Sequence, residues 1–470
     1  MQVEPRSRAR REFISALRNR VGSLLGRQRF LFLNAGLLTL GTATSSVFGF
    51  CYWILAARHF PPAAVGYAAA AVSLMGLFGH LGECGLGTLL MGKARIFAER
   101  SSAIISAALL VGFGASALLA LGYTAISASL PASLGQISSF SGDVLFLLCC
   151  ACCGLGLVLD GALAGLSRIE IAVARNVVTS VMKLILVAVG PMFLSANLLG
   201  ERFLLLTWLI GMLVAFVPMI FINRIKNGAM PGRVDFGSLQ DVVSEVLGHH
   251  VLNIASLAPG LLLPAIVTIE LTPSTNAAFY AAWALINVAF LAPNYLAVMV
   301  FAEGSKSPPS FAGHLRASLG MAMLIGIVVA LVCYFGSFFI LSLFSPAYAS
   351  IANVSLQLLG ISIFPMAIKL HFVAIQRFRN RMAAASLLVA LGALFELAGA
   401  VLGARHGDLL GLTVGWLLGL VCETLIMAPS VIGVLFPQLY ARALAMSGMR
   451  AEIAEGEFLR EGEVEFAARD

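Results

Sequence analysis

Charge is what this sequence has least of. Of its 470 residues only 11% are charged, while 60% are hydrophobic, and a soluble domain carries about 25% charged residues. Short alternating apolar and polar segments are also lacking, which excludes a β-barrel. No Walker-type loop occurs, so the chain is read as no ATPase and needs no bound nucleotide. No large extracytoplasmic loop is expected. The longest such segment, 127–142, has no His, Arg or Lys and offers no reaction centre, which argues against an enzyme. No cofactor is expected and no metal site. The eight cysteines all fall in apolar runs. Cys149, Cys150, Cys152 and Cys153 give two overlapping C-x-x-C spacings, but without a second ligand pair they read as small packing residues.

What is present is long apolar runs, each near or above the ~20 residues that cross ~30 Å of hydrocarbon. Twelve spans are expected, at 31–57, 66–91, 102–127, 142–166, 172–194, 203–222, 250–270, 277–301, 317–343, 351–375, 382–402 and 409–434. The first run is longer than a signal-peptide core and reads as a retained span. With both termini cytoplasmic, 25 of the 30 Lys and Arg fall inside, three outside (Arg58, Arg202, Arg405) and two within spans (Lys183, Lys369). That asymmetry satisfies the positive-inside rule and fits a multi-pass protein of the inner membrane. The net charge of +7 reports topology and contact with anionic lipid; nothing points to nucleic acid.

The chain reads as duplicated. Leu33-Asn34 with Gly41 recurs as Leu252-Asn253 with Gly260. Tyr67-Ala68-Ala69 recurs as Tyr280-Ala281-Ala282. Trp208-Leu209-Ile210-Gly211 recurs as Trp416-Leu417-Leu418-Gly419. The predicted class is all-α, with two parallel six-helix bundles. The segments are a basic amphipathic stretch (1–30), an N-terminal bundle (31–222), a linker with a second amphipathic helix (223–249), a C-terminal bundle (250–434) and a cytoplasmic tail (435–470). Parallel repeats place a binding site between the halves. Rigid-body rocking about Gly228–Gly232 is the expected motion, with polar groups such as Thr42, Ser46 and Tyr52 in the first span lining the site.

The stretch Leu55-Ala56-Ala57-Arg58-His59-Phe60-Pro61-Pro62-Ala63-Ala64-Val65-Gly66-Tyr67, then Gly85-Leu86-Gly87 and Lys93-Ala94-Arg95, resembles the polysaccharide flippases of the multidrug/oligosaccharidyl-lipid/polysaccharide exporter superfamily. The resemblance implies export of an undecaprenyl-diphosphate-linked oligosaccharide without ATP hydrolysis. It implies as partners that lipid-linked glycan, membrane lipids and other membrane proteins of polysaccharide assembly. Two departures narrow it. No basic residue lies between Phe30 and Ala57, against a peptidoglycan-lipid flippase; no acidic residue lies in the first span, against drug export. A drug or cation antiporter and a membrane glycan polymerase or ligase stand as alternatives.

Intramembrane charge needs a reason. Lys183 and Asp160, 12 and 11 residues from a turn centred near Ile171, are expected at similar depth, as a packing ion pair or with Lys183 facing a lipid diphosphate. His80 and Glu83 share a helix face, either lining a cavity or as a structural pair. Arg58 and His59 stand at the outer end of span one. Asn253, Asn287 and Asn294 are further substrate-facing candidates. Glu83, Asp160, Glu396 and Glu423 are the ion-coupling candidates. Lys369, with His371 beside it, reads as snorkelling toward headgroups. Pro259 and Pro264 read as a bend in span seven.

Reporter fusions test the topology. Fusions after Asn197 and Arg405 are expected to read extracytoplasmic and one after Asn227 cytoplasmic. An extracytoplasmic reading at Asn227 removes the parallel duplication.

Overall fold

The computed structural model describes residues 41, 44–93, 101–127, 140–193, 200–227, 234, 236–237, 247–304 and 310–436. The basic stretch, the amphipathic helices, the hinge at Gly228–Gly232, Thr42 and the tail lie outside or almost wholly outside these residues. Every described element is a helix. In chain order they are α1 (44–59), α2 (Pro62–Gly82), α3 (Leu86–Lys93), α4 (Ser101–Ser127), α5 (Phe140–Gly165), α6 (Ile169–Phe193), α7 (Glu201–Asn227), α8 (Leu247–Glu270), α9 (Pro273–Gly304), α10 (Phe311–Ser342), α11 (Pro346–Ile361), α12 (Ile363–Phe378) and α13 (Met382–Leu435). Among the described residues, eight helices are long and apolar enough to cross a membrane, and the pair α11 and α12, bent by 42°, makes a ninth.

Three departures from the expected spans have local causes. Span two breaks after Gly82, where Cys84 (φ 51°) and Gly85 (φ 75°) turn left-handed before α3 begins. Glycine adopts that conformation without cost, so Gly85 serves the turn. Gly87 serves packing, because a methyl on Gly161 of α5 would overlap its backbone. Span ten starts earlier, on Pro346, and bends at Ser362. Span seven, by contrast, runs helical through Pro259 and Pro264. Helices α2 and α11 both open on proline at the first turn, where its missing N–H costs nothing.

Helix α13 is two antiparallel arms, 382–406 and 409–435, joined at Gly407 and Asp408, where the backbone leaves helical geometry. Glycines let the arms touch backbone to backbone. A methyl on Gly403 would overlap the Gly411 carbonyl, and one on Gly399 the Gly415 carbonyl. Hydrocarbon gives no hydrophobic drive between helices, so this close packing holds them together.

Helices α1 to α7 form one lobe and α8 to α13 the other. Across the seam, α2 packs on both α8 and α9. Asn276 Nδ2 donates to the Gly66 carbonyl at 2.7 Å. A side chain at Gly66 would overlap the Pro273 carbonyl, so glycine is required at that crossing. Trp53 meets Tyr280 with ring centroids 4.8 Å apart, and Phe50 meets Phe344 at 5.0 Å. Arg58 Nε donates to the Leu343 carbonyl at 3.0 Å. These contacts close the lobes at the end that carries the α1–α2 and α8–α9 turns, called the outer end below.

Glycine substitutions separate close packing from turn geometry. Gly403→Ala is expected to cost about 1–3 kcal/mol by overpacking and to lower the melting temperature of the detergent-solubilised protein. Gly407→Ala has open space and an extended φ of −158°, and is expected to melt with the wild type.

Candidate functional site

Three groups of ionisable side chains lie inside the bundle. The first is in the N-terminal lobe. Lys183, on α6, is 6% exposed, and its ammonium stands 3.6 Å from the centroid of the Trp208 ring and 5.7 Å from that of Tyr52. The cation thus rests on π faces, an attraction worth ~2 kcal/mol or more when desolvated. Tyr52 is fixed in turn: its hydroxyl lies 3.0 Å from Thr207 Oγ1 and donates to the Leu204 carbonyl at 3.2 Å. Gly211 brings α7 against the Lys183 backbone. Among the described residues no carboxylate pairs with Lys183.

The expected Asp160–Lys183 pairing is therefore overturned. Asp160 belongs to Arg175, whose Nη2 donates to Oδ2 at 2.6 Å and Nε to Oδ1 at 3.2 Å, and Asn176 adds a third bond at 3.1 Å. The cause is the position of the turn. It centres near Ser167 (φ 58°), between Gly165 and Ile169, one helical turn before Ile171. Asp160 is then 7 residues from it and Arg175 is 8, which sets those two at one depth. Arg175, assigned by sequence to the cytoplasmic surface, is buried.

The second group sits where α2 ends and α8 begins, opposite the outer end. His80 Nδ1 and Glu83 Oε1 are 3.9 Å apart, on one face as expected. The sequence missed His250, which is buried at the start of α8 near Glu83. Adjacent His249-His250 ahead of an apolar run was the available signal.

The third group lies in the C-terminal lobe and overturns the snorkelling of Lys369. That lysine is 2% exposed; its Nζ donates to Glu396 Oε1 at 2.7 Å and to Glu423 Oε2 at 2.9 Å. Trp416 Nε1 donates to Glu396 Oε2 at 2.7 Å. Glu396 and Glu423 are each 1% exposed. His371 is equally buried, 2.8 Å from Ser318 Oγ. Both carboxylates were candidates; their common partner was not foreseen, because Lys369 was placed at a surface.

The asparagine candidates separate. Asn253 accepts from Arg377 Nη2 at 2.9 Å and so holds α12 to α8 within one lobe. Asn287 and Asn294 are exposed, seven residues apart on one face of α9. They lie beyond the part of α9 clamped to the other lobe by Asn276 and Tyr280. An amide pair facing lipid is unfavourable, so this face suits a hydrated cleft. Arg58 is spent on the Leu343 carbonyl, and His59 is exposed beside it. Among the described residues no group of three or more His, Cys, Asp or Glu has a geometry that holds a metal ion.

By sequence, no family model and no curated protein matches the chain. By structure it is similar to an inward-facing multidrug resistance MATE family transporter of the MOP superfamily, with a TM-score of 0.64, 14% identity, and coverage of 86% of this chain and 96% of that one. A mutant of the Vibrio cholerae MATE transporter VcmN matches with a TM-score of 0.60, 16% identity and coverage of 90% and 98%. A MOP superfamily transporter from Pyrococcus furiosus, described as having reversed polarity of its binding pocket, matches with a TM-score of 0.57, 14% identity and coverage of 86% and 96%.

Asp160→Asn removes one partner of the Arg175 pair. It is expected to cost ~2 kcal/mol, less than the ~3–5 of a fully buried pair, since the Asp160 side chain is 29% exposed. Adding Arg175→Met should recover most of the loss in a thermal melt. No recovery would place the role of Asp160 elsewhere. The chain has the fold of the MATE transporters of the MOP superfamily.

Proposed function

We propose that this chain is a transporter that moves a polyprenyl-diphosphate-linked oligosaccharide across the inner membrane by alternating access, for polysaccharide biosynthesis. The observation that carries the substrate class is Lys183. A cation at membrane depth with no carboxylate partner is costly, and the aromatic rings beneath it offset only part of that cost. A diphosphate or an acidic sugar supplies the missing charge. Of the other intramembrane candidates in this lobe, Asp160 is held by Arg175 and Glu83 stands beside His80.

Alternating access is supported by the clamp at the outer end together with the exposed Asn287 and Asn294 face farther along α9. We read this combination as a cleft closed at that end and open at the other, and the neighbour with a TM-score of 0.64 is an inward-facing one. Scattered amides suit a hydrated glycan whose lipid tail stays in the bilayer. The P. furiosus neighbour is described as functionally different on the ground of its pocket's polarity, and the same argument from charge applies here.

Cationic drug antiport is the second reading, and the surplus carboxylate of the C-terminal lobe favours it. That carboxylate is sealed behind Lys369 and Trp416, which leaves no room for a drug-sized cation.

Lys183→Ala is expected to abolish glycan export in cells, read as surface polysaccharide, with the protein still present in the membrane at wild-type amount. Lys183→Arg should keep part of the activity, because the charge and the ring stacking are retained. Normal export by Lys183→Ala removes the anionic-substrate reading.

A further inference from the structure

Two neighbouring donors in the N-terminal lobe lack an acceptor. Among the described residues the Lys183 ammonium has none; it rests on the ring faces of Trp208 and Tyr52, 3.6 Å and 5.7 Å from their centroids. The indole Nε1 of Trp208, in the ring beneath that ammonium, is buried and is likewise without a partner among them. Tyr52 is engaged elsewhere, its hydroxyl bound to the Leu204 carbonyl and Thr207. An ammonium and an indole N–H can only donate. A buried donor left unmet is costly, and a charged one more so. The pair therefore fits a ligand that accepts at both and brings no donor of its own.

Charge selects among such ligands. Arg175, the other buried cation of this lobe, is neutralised by Asp160, so the site offers one uncompensated positive charge. A lipid diphosphate esterified at both ends carries two negative charges and would leave one unmatched, at a depth where that is costly. A neutral sugar hydroxyl brings no charge and adds a donor. A carboxylate brings one negative charge, two acceptor oxygens and no donor. Depth points the same way. Lys183 is 10 residues from the nearer end of α6, about 15 Å along the helix axis, well below the headgroup layer that holds the phosphates of a lipid.

We propose that Lys183 and Trp208 form a carboxylate site that selects a glycan containing a uronic acid, with the ammonium supplying the charge and the indole N–H the second donor. This rests on the glycan reading above and narrows it: the sugar acid enters the lobe, and the lipid diphosphate stays at headgroup depth. The donors are held in place before the ligand arrives. The ammonium is stacked on the ring that carries the second donor. Tyr52 ties α1 to α7 one turn before Trp208, and Gly211 keeps α7 against the Lys183 backbone. Donors fixed in advance lose little freedom on binding.

The test is saturation-transfer NMR on the full-length, detergent-solubilised protein with three probes: methyl β-D-glucuronoside, methyl β-D-glucoside and geranyl diphosphate. The wild type is expected to bind the glucuronoside and not the glucoside, which differs from it only at the carboxylate. Lys183→Met should weaken glucuronoside binding about tenfold or more, the size of one hydrogen bond to a charged group, and should melt no lower than the wild type. Trp208→Phe keeps a ring under the ammonium and removes the N–H; a loss of about three- to tenfold is expected. Binding of geranyl diphosphate should be the same in all three proteins. Equal signals from the two glycosides, present or absent, overturn the proposal, and so does unchanged glucuronoside binding in Lys183→Met. Geranyl diphosphate binding that falls in Lys183→Met assigns the cation to the diphosphate and overturns it too, while the lipid-linked glycan reading stands. Normal export by Lys183→Ala removes that reading itself, so the two failures are distinguishable.

Discussion

Uncompensated charge at hydrocarbon depth is the constraint on which the rest of this structure depends. An ion there must be paired, rest on aromatic faces, or meet a ligand, because no water stands by to solvate it. The protein answers in three ways within one bundle. Arg175 and Asp160 neutralise each other bidentately, and Asn176 takes up a remaining lone pair. Lys183 lies on Trp208 and Tyr52. Lys369 is shared between two acids. The first arrangement is complete in itself and reads as structure. The other two are incomplete, by one anion and by one cation, and an incomplete charge is what a binding site is made of.

Glycine provides the second constraint, since each of these arrangements needs helices closer than ordinary side chains allow. Gly211 brings α7 against Lys183, Gly392 admits Glu423, and Gly66 lets α2 touch the start of α9. In the hairpin of α13 the same device runs along both arms. Gly399, Gly403, Gly411 and Gly415 replace the hydrophobic drive, absent in lipid, with close backbone contact. A hairpin held at this separation fixes the distance between Glu396 and Glu423, so the packing residues set the chemistry of the charged ones.

Hydropathy made the helical, membrane-spanning class legible, because a run of some twenty apolar residues has few other uses. Partner choice across helices was not legible. A helix turns ~100° per residue, so a small error in a turn position rotates a side chain away from its partner. The Asp160 partner illustrates this: placing the turn at Ile171 instead of Ser167 moved the position opposite Asp160 by about two helical turns and selected Lys183 over Arg175. Lys369 failed for another reason. Near the end of a span a lysine has two outlets, the interface or an acid inside, and sequence order does not say which acids from α13 reach it. The Gly85-Leu86-Gly87 patch was read as a motif without a role. Its role, a left-handed turn followed by a close crossing with Gly161, needed the third dimension.

The two lobes share a plan but not a charge. The N-terminal lobe carries one surplus positive charge on Lys183, and the C-terminal lobe one surplus negative charge on the Glu396–Glu423 pair. The seam contacts at Gly66, Asn276 and Arg58 are hydrogen bonds to backbone carbonyls, one of them from an exposed guanidinium. No ion pair is among these contacts, so separating them costs only hydrogen bonds that water replaces.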